Sequence, residues 1–474
     1  MFWIIFTIHL IVALPTVVVI ILFGVRPTRS FSWLLLVLFF PFVGVILYLF
    51  LGINRRKFKF FQLKQTNKRQ LYDKNFDSDV NTKSEVIFKA INKQRLASLI
   101  EQTTHFKVLA HNNVQILDDA ALAYDYIFES ISQAQKFIHL QYYIFEEGEV
   151  LDRLAQLLIQ KIKEGLEVRI IYDAFGSYHA KRSTLKKLKI LGASVFPVMP
   201  LRYGSFLFTM NYRNHRKAII IDGKVAFAGG MNISDKYINA EDDLGKWEDM
   251  HLKLSGPIVN SLHRVFIKDY FFASNKELLL GDHYLPEQSK KGNTDIQLVA
   301  SGPDSEQLSV LQQYLMLINI AQKSISITNP YFVPNQSLLQ AIKIAALSGV
   351  NVRILVPKKT DSRMATYSMF SYFEELLEVG VEIYLLYGRF THSKVIVVDT
   401  EVASVGSGNF DHRSFEHNFE TNVLIYNEKI ASKLNSIFLE DCQSCEKLDL
   451  ESFKTRSIKQ RLIEGCARFF SPLL

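Results

Sequence analysis

Two stretches at the start of the chain, residues 2–24 and 31–52, hold no charged side chain. Each matches the ~20 apolar residues that a membrane-spanning helix needs. The polar turn Val25-Arg26-Pro27-Thr28-Arg29-Ser30 joins them. The pattern predicts a two-helix transmembrane hairpin over residues 1–52. A cleaved signal peptide fits less well, because Met1-Phe2-Trp3-Ile4 carries no basic residue and no Ala-x-Ala site follows. Residues 53–108 are polar and read as a basic linker with one helix over 84–103. Beyond them the hydrophobic spacing switches between strand and helix periods, and does so twice. The first half, 109–290, reads strand 113–117, helix 118–133, strand 136–145, helix 151–165 and strand 167–172. The second half, 291–474, reads strand 295–300, helix 305–321, strand 324–332, helix 336–349 and strand 351–356. Strands alternating with helices of this length predict an α/β fold. The repeated order predicts two pseudo-symmetric halves made by internal duplication.

The chain is 48% hydrophobic with a mean hydropathy of +0.08, and the first 52 residues carry most of the excess. A formal net charge of +8 points to an anionic partner, either nucleic acid or an acidic membrane. Arg26 and Arg29 lie in the turn of the hairpin. Seven basic residues and no acid lie between Asn54 and Gln70: Arg55, Arg56, Lys57, Lys59, Lys64, Lys68 and Arg69. Basic clusters remain on the cytoplasmic side. The reading is therefore a multi-pass protein of the cell membrane with both termini and the catalytic portion cytoplasmic. The same cluster attracts anionic headgroups at ~1 kcal/mol per residue near the surface. Three cysteines, Cys442, Cys445 and Cys466, make no disulfide framework and point to a reducing compartment. Cys442 and Cys445 have metal-ligand spacing but no second pair, so no metal is expected.

The chemistry sits in a repeated motif. Asn214-His215-Arg216-Lys217 runs on to Asp222 and is followed by Gly229-Gly230-Met231-Asn232. His392-Ser393-Lys394 runs on to Asp399 and is followed by Gly406-Ser407-Gly408-Asn409. Both are His-x-Lys-x4-Asp with identical internal offsets. On a strand, positions two apart share a face, so His215 would project beside Lys217, and His392 beside Lys394. A lone His-x-Lys is ordinarily a surface strand; two copies with the same spacing are not accidental. Together they offer two imidazoles, two ammonium groups and two amides, Asn232 and Asn409. That set surrounds a phosphoryl group: cations and amides on its equatorial oxygens, imidazoles in line on either side. In-line displacement needs the two rings on the order of 5–7 Å apart. Asp222 and Asp399 count with the motif as candidate catalytic residues, although their position at the strand end suits holding the following turn.

In combination these motifs resemble the phospholipase D superfamily, and wider matches resemble its bacterial cardiolipin synthase branch. The matches are Asn211-Tyr-Arg-Asn-His-Arg-Lys217, Trp247-Glu-Asp-Met-His251, Asn329-Pro-Tyr-Phe-Val-Pro334, Asn409-Phe-Asp-His-Arg-Ser-Phe415 and Asn418-Phe-Glu420. The resemblance implies that one motif histidine attacks phosphorus while the other protonates the leaving group, with His215 as the attacking residue. It implies a carboxylate behind each imidazole: Glu420 for His215 and Asp249 for His392. The implied reaction converts two phosphatidylglycerols into cardiolipin and glycerol through a phosphatidyl-histidine, with no metal or other cofactor. One departure stands out: Gly230 occupies the place of Ser407, so the two halves are not equivalent. The competing readings are a phospholipase D-type phosphodiesterase that hydrolyses lipid or nucleic acid, and a non-catalytic membrane scaffold. The hairpin favours the lipid bilayer over nucleic acid as partner, and intact His215, Lys217, His392 and Lys394 argue against a scaffold. A homo-oligomer is compatible with the sequence.

Overall fold

The computed structural model describes residues 2–23, 27–40, 42–52, 86–178, 183–199, 212–239, 243–274, 279, 281–290 and 292–471. The basic cluster between Arg55 and Arg69 lies outside them. Helix α1 (Phe2–Phe23) takes up the first apolar run. The second run is divided into α2 (Pro27–Phe39), α3 (Val43–Leu47) and a π-helical turn, Tyr48–Gly52. The division falls at Phe42, whose φ of 62° is left-handed and cannot continue a right-handed helix. The two-helix transmembrane hairpin expected over residues 1–52 is therefore not shown as two unbroken spans. Some side chains of α1 lie outside the described set, and among the described residues no helix is long and apolar enough to cross a membrane. Ala13, Ile20, Val37, Val45 and Tyr48 form a small core of their own here.

The first half contributes β1 (Leu109–Leu117), β2 (Phe137–Tyr142), β3 (Glu167–Asp173), β4 (Ser194–Val198), β5 (Arg213–Asn214), β6 (Ala218–Ile221), β7 (Val225–Gly229), β8 (Lys246–Glu248) and β9 (His251–Ser255). The second contributes β10 (Thr294–Ser301), β11 (Ser324–Thr328), β12 (Asn351–Pro357), β13 (Glu382–Leu386), β14 (Arg389–Thr391), β15 (Val395–Val398), β16 (Val402–Gly406), β17 (Asn418–Tyr426) and β18 (Glu446–Lys447). Among the described residues the first half runs β1-β9-β7-β6-β2-β3-β4 and the second β10-β17-β16-β15-β11-β12-β13-β18. Seven strands correspond in order, β18 being an addition at the edge of the second half, and antiparallel pairing of β1 with β10 joins the two. Parallel pairs arise where a helix returns the chain, as Glu149–Lys163 does between β2 and β3 and Gln336–Leu347 does between β11 and β12.

Three apolar layers follow. Helices Ala120–Ser132 and Glu149–Lys163 cover the outer face of the first half. Ser309–Ile320 and Gln336–Leu347 cover that of the second. Between them lies a shared layer, where Ile220, Leu252 and Phe266 pack with Val397, Val423 and Leu434. Helix Ile91–Thr104, inside the stretch read as a linker, buries Leu96 and Ile100 in the second half's core. Gln297 Nε2 donates to its Ala97 carbonyl at 2.9 Å. Strands β2 and β11 end at Tyr142 and Thr328, earlier than the apolar runs 136–145 and 324–332 suggest; in the second half Pro330 follows closely and has no N–H for the ladder.

Candidate active site

Two short strands build the site by crossing between halves. Strand β5, immediately before His215, pairs in parallel with Asn418 and Phe419 at the start of β17. Strand β14, immediately before His392, pairs in parallel with β8. The His215 N–H donates to the Phe419 carbonyl at 2.9 Å, and the His392 N–H to the Glu248 carbonyl at 2.6 Å. Each motif is thus laid against the residue preceding a carboxylate of the other half. The lead-ins pair outside the main order, so residues 215–217 and 392–394 form irregular links into β6 and β15. This departs from the regular strand that the alternation predicts. Each lysine curls back instead, with Lys217 Nζ donating to its own motif's His215 carbonyl at 2.7 Å and Lys394 Nζ to that of His392.

The result is two imidazole–carboxylate pairs. His215 Nδ1 lies 3.0 Å from Glu420 Oε2, and His392 Nδ1 lies 2.7 Å from Asp249 Oδ2. All four side chains and both lysines are buried. The pairs are not identical. Glu420 also accepts from the Ser407 hydroxyl at 2.5 Å and from Asn418 Nδ2 at 3.2 Å. Burial alone would raise its carboxyl, but His215, Lys217 and Ser407 outweigh burial and hold it below the ordinary range. Asp249 has the Lys394 ammonium 3.7 Å away, yet burial prevails and lifts it to about 6. His392 Nδ1 is crowded, with Lys394 Nζ at 2.9 Å and the Tyr237 hydroxyl at 3.3 Å.

Burial also lowers both imidazoles, His392 the further of the two. The neighbouring cations add to this across the halves: Lys217 and His215 act on His392, and Lys394 acts on His215. The two motifs therefore form one electrostatic cluster. Burial lowers Lys217 to about 7 and Lys394 to about 8. Glu420 and Asp249 offset this only in part, so a bound anion would further stabilise the two desolvated ammonium groups.

The remaining expected residues fall elsewhere. Asp222 and Asp399, grouped with the catalytic motif, stand at the opposite ends of β6 and β15. Asp222 accepts from the N–H groups of Gln135, Lys136 and Phe137 at 2.8–3.0 Å. Asp399 does the same for Gln322, Lys323 and Ser324 at 2.7–2.9 Å. Their carboxylates are engaged with backbone, each clamping the entry to β2 or β11. Asn232 accepts from the Ile144 N–H, and its amide nitrogen lies 3.5 Å from Tyr237. The Asn409 side chain bonds Asp411. Sequence reasoning gave no role to the rings around the imidazoles, although it singled out the motifs that hold Trp247 and Tyr331. Tyr143 stands edge-on to His215 at 4.9 Å, and Trp247 and Tyr331 flank His392 at 5.2 and 6.4 Å. It also passed over Arg216, which forks onto Asp269 at 2.7 Å and donates to the Ser301 and Glu420 carbonyls, tying the halves behind the site. The signal available for Tyr143 and Tyr331 was their position just past β2 and β11. Among the described residues no group of three or more His, Cys, Asp or Glu side chains is placed to hold a metal ion.

A duplicated α/β sheet with two His-x-Lys segments and exchanged carboxylates defines the phospholipase D-like class. The family model for the cardiolipin synthase, phospholipase D-like domain matches residues 127–270 and 314–442, and that for the phospholipase D-nuclease N-terminal region matches 2–52. A cardiolipin synthase of Halalkalibacterium halodurans is 36% identical over 100% of this chain and 95% of that protein. The major cardiolipin synthase of Bacillus subtilis is 37% identical over 94% of each. The chain belongs to the cardiolipin synthase family. Among solved structures, phosphatidylserine synthase of Haemophilus influenzae has a like fold, with a TM-score of 0.62 at 16% identity over 80% of this chain and 100% of that one.

Proposed function

We propose that the protein transfers a phosphatidyl group from one phosphatidylglycerol to another, giving cardiolipin and glycerol. The observation that carries this reading is the pair of buried imidazoles, each backed by a carboxylate at Nδ1 and accompanied by a lysine. Glu420 accepts the Nδ1 proton of His215, which leaves Nε2 with a free lone pair. Nε2 attacks phosphorus and the P–O bond to glycerol breaks. His392 gives a proton to the departing glycerol oxygen. The glycerol hydroxyl of a second phosphatidylglycerol then attacks, His392 takes its proton, and the P–N bond breaks. Lys217 and Lys394 neutralise the non-bridging oxygens throughout. The more strongly bonded Glu420 supports His215 as nucleophile. The Asp249 carboxyl, raised by burial to about 6, supports a proton shared with His392. In the empty site the ammonium groups oppose protonation of His392; a phosphodiester anion offsets them and restores the acid.

Purified protein given phosphatidylglycerol is expected to yield cardiolipin and glycerol by mass spectrometry. Phosphatidic acid as the only lipid product would make it a hydrolase, and unchanged substrate a scaffold. His392→Ala is expected to accumulate an adduct on His215 with an activated leaving group that needs no proton. An adduct on His392 in His215→Ala would reverse the two roles.

The charge-free runs support membrane anchoring through residues 1–52, with both termini and the catalytic halves on the cytoplasmic side. Arg29→Cys is then expected to be labelled from outside intact cells and Lys64→Cys only after permeabilisation; the opposite pattern reverses the topology.

A further inference from the structure

The last helix, Ile458–Phe469, is amphipathic with its faces inverted. The side turned to the protein is polar. Glu464 is 2% exposed and pairs with Arg456, which also donates to Glu374 at 2.6 Å. Gln460 donates to Glu464 at 3.0 Å. Arg468 lies over the Tyr372 ring and donates to Glu375 at 2.8 Å. Beyond the helix, Ser471 bonds Ser368 and Tyr372. The side turned outward is apolar: Ile458 is 78% exposed, Leu462 63% and Phe469 86%. These sit at i, i+4 and i+11, one stripe of an α-helix, with the exposed Cys466 at its edge at i+8. Phe470, half exposed, follows at the end of the helix. At 3.6 residues per turn, Lys459 and Arg461 fall on opposite flanks of the stripe, Arg461 half exposed with one guanidinium nitrogen 3.4 Å from Glu374. Large exposed side chains in such a row mark an interaction surface.

We propose that this helix is an interfacial lipid-binding element, its stripe seated in the acyl boundary of an anionic bilayer and its cations at the headgroups. The idea rests on the reading of the substrate as phospholipid, and charge complementarity selects the occupant: basic flanks beside an apolar row match an anionic lipid surface. The helix also stands close to the chemistry. It docks on helix Arg363–Phe370, which begins next to Asp361. Asp361 accepts from the Tyr331 hydroxyl at 2.6 Å, and the Tyr331 ring faces His392. One short helix, roughly 12 Å long, thus links the lipid-seated element to the rim of the site.

The test uses full-length protein reconstituted in bilayers, with an environment-sensitive fluorophore on the exposed Cys466. With phosphatidylglycerol in the bilayer, the emission should shift to the blue and be quenched by brominated acyl chains; in phosphatidylcholine alone, that quenching should drop about fivefold. Leu462→Glu/Phe469→Glu should raise the apparent KM for bilayer phosphatidylglycerol about tenfold while leaving kcat on detergent-dispersed substrate unchanged. Emission from water in both bilayers, an unchanged KM, or efficient Cys466–Cys466 cross-linking to a second copy would each overturn the proposal. A lipid-quenched fluorophore in a protein that turns over phosphatidylglycerol in neither format would support the helix assignment and defeat the substrate reading.

Discussion

Lys217, lowered to about 7, and Lys394, lowered to about 8, set a pH limit at the scale of single residues. A bound phosphodiester favours the ammonium form, so both values rise on binding. A group whose pKa is higher in the complex than in the free protein contributes affinity that is complete below the free value and fades above it. kcat/KM is therefore expected to fall at least roughly tenfold between pH 7 and pH 9. A profile flat to pH 9.5 would mean both lysines stay charged in the empty site. Glu420→Gln and Asp249→Asn keep the size of each side chain but lose the carboxylate that fixes the imidazole tautomer. Each is expected to cost ~10²–10⁴-fold in kcat with the folded state intact, measured by steady-state turnover beside thermal unfolding. Asp222→Ala should do the reverse. Three backbone donors lose their acceptor at a partly exposed position, so stability should drop by ~1–3 kcal/mol. Adduct formation per folded molecule should stay within twofold of the parent.

Among the elements, the two glycine-bearing turns after β7 and β16 differ in what they can hold. A side chain on Gly230 would come within 2.1 Å of Asp249 Oδ1, whereas the equivalent Ser407 fits and bonds Glu420. Gly230→Ser, which makes the turns alike, is expected to displace Asp249 and reduce turnover ~10²-fold or more. Ser407→Ala should cost only about tenfold, since it removes a single hydrogen bond to a carboxylate; equal effects would show that the turns are interchangeable. The element order was legible in the chain because apolar spacing reports burial directly: the repeated strand–helix–strand pattern appears in the sheet within a few residues at most ends. The His and Lys positions were legible because the motif repeats. The irregular path of residues 215–217 was not, since it depends on β5 pairing with a strand some two hundred residues away. The roles of the aromatic rings and of Arg216 were not legible for a like reason: Tyr143, which faces an imidazole, differs from Tyr142, which fills the core, only in lying just past the end of β2. Phe42, left-handed in the middle of an apolar run, likewise gives no signal in hydropathy.

At the scale of the whole molecule, the shared apolar layer means that neither half is complete. Expressed separately, residues 109–290 and 291–474 are expected to lack cooperative unfolding by calorimetry, because each exposes its side of that layer and the second also loses helix Ile91–Thr104 from its core. Deleting residues 1–52 is expected to leave the melting temperature of the catalytic portion within a few degrees, since the small core these residues form stands apart from the others; loss of folded protein would make them part of the fold. The exchanged carboxylates carry a further meaning. Each half holds a histidine and a carboxylate that both bond partners in the other half, so two like halves facing each other complete both pairs at once. The polypeptide has the form of an ancestral homodimer joined end to end. Where two copies of one gene product share such a site, a substitution on one side is imposed on the other; within a single chain the sides are free to differ, and here glycine at 230 stands opposite serine at 407.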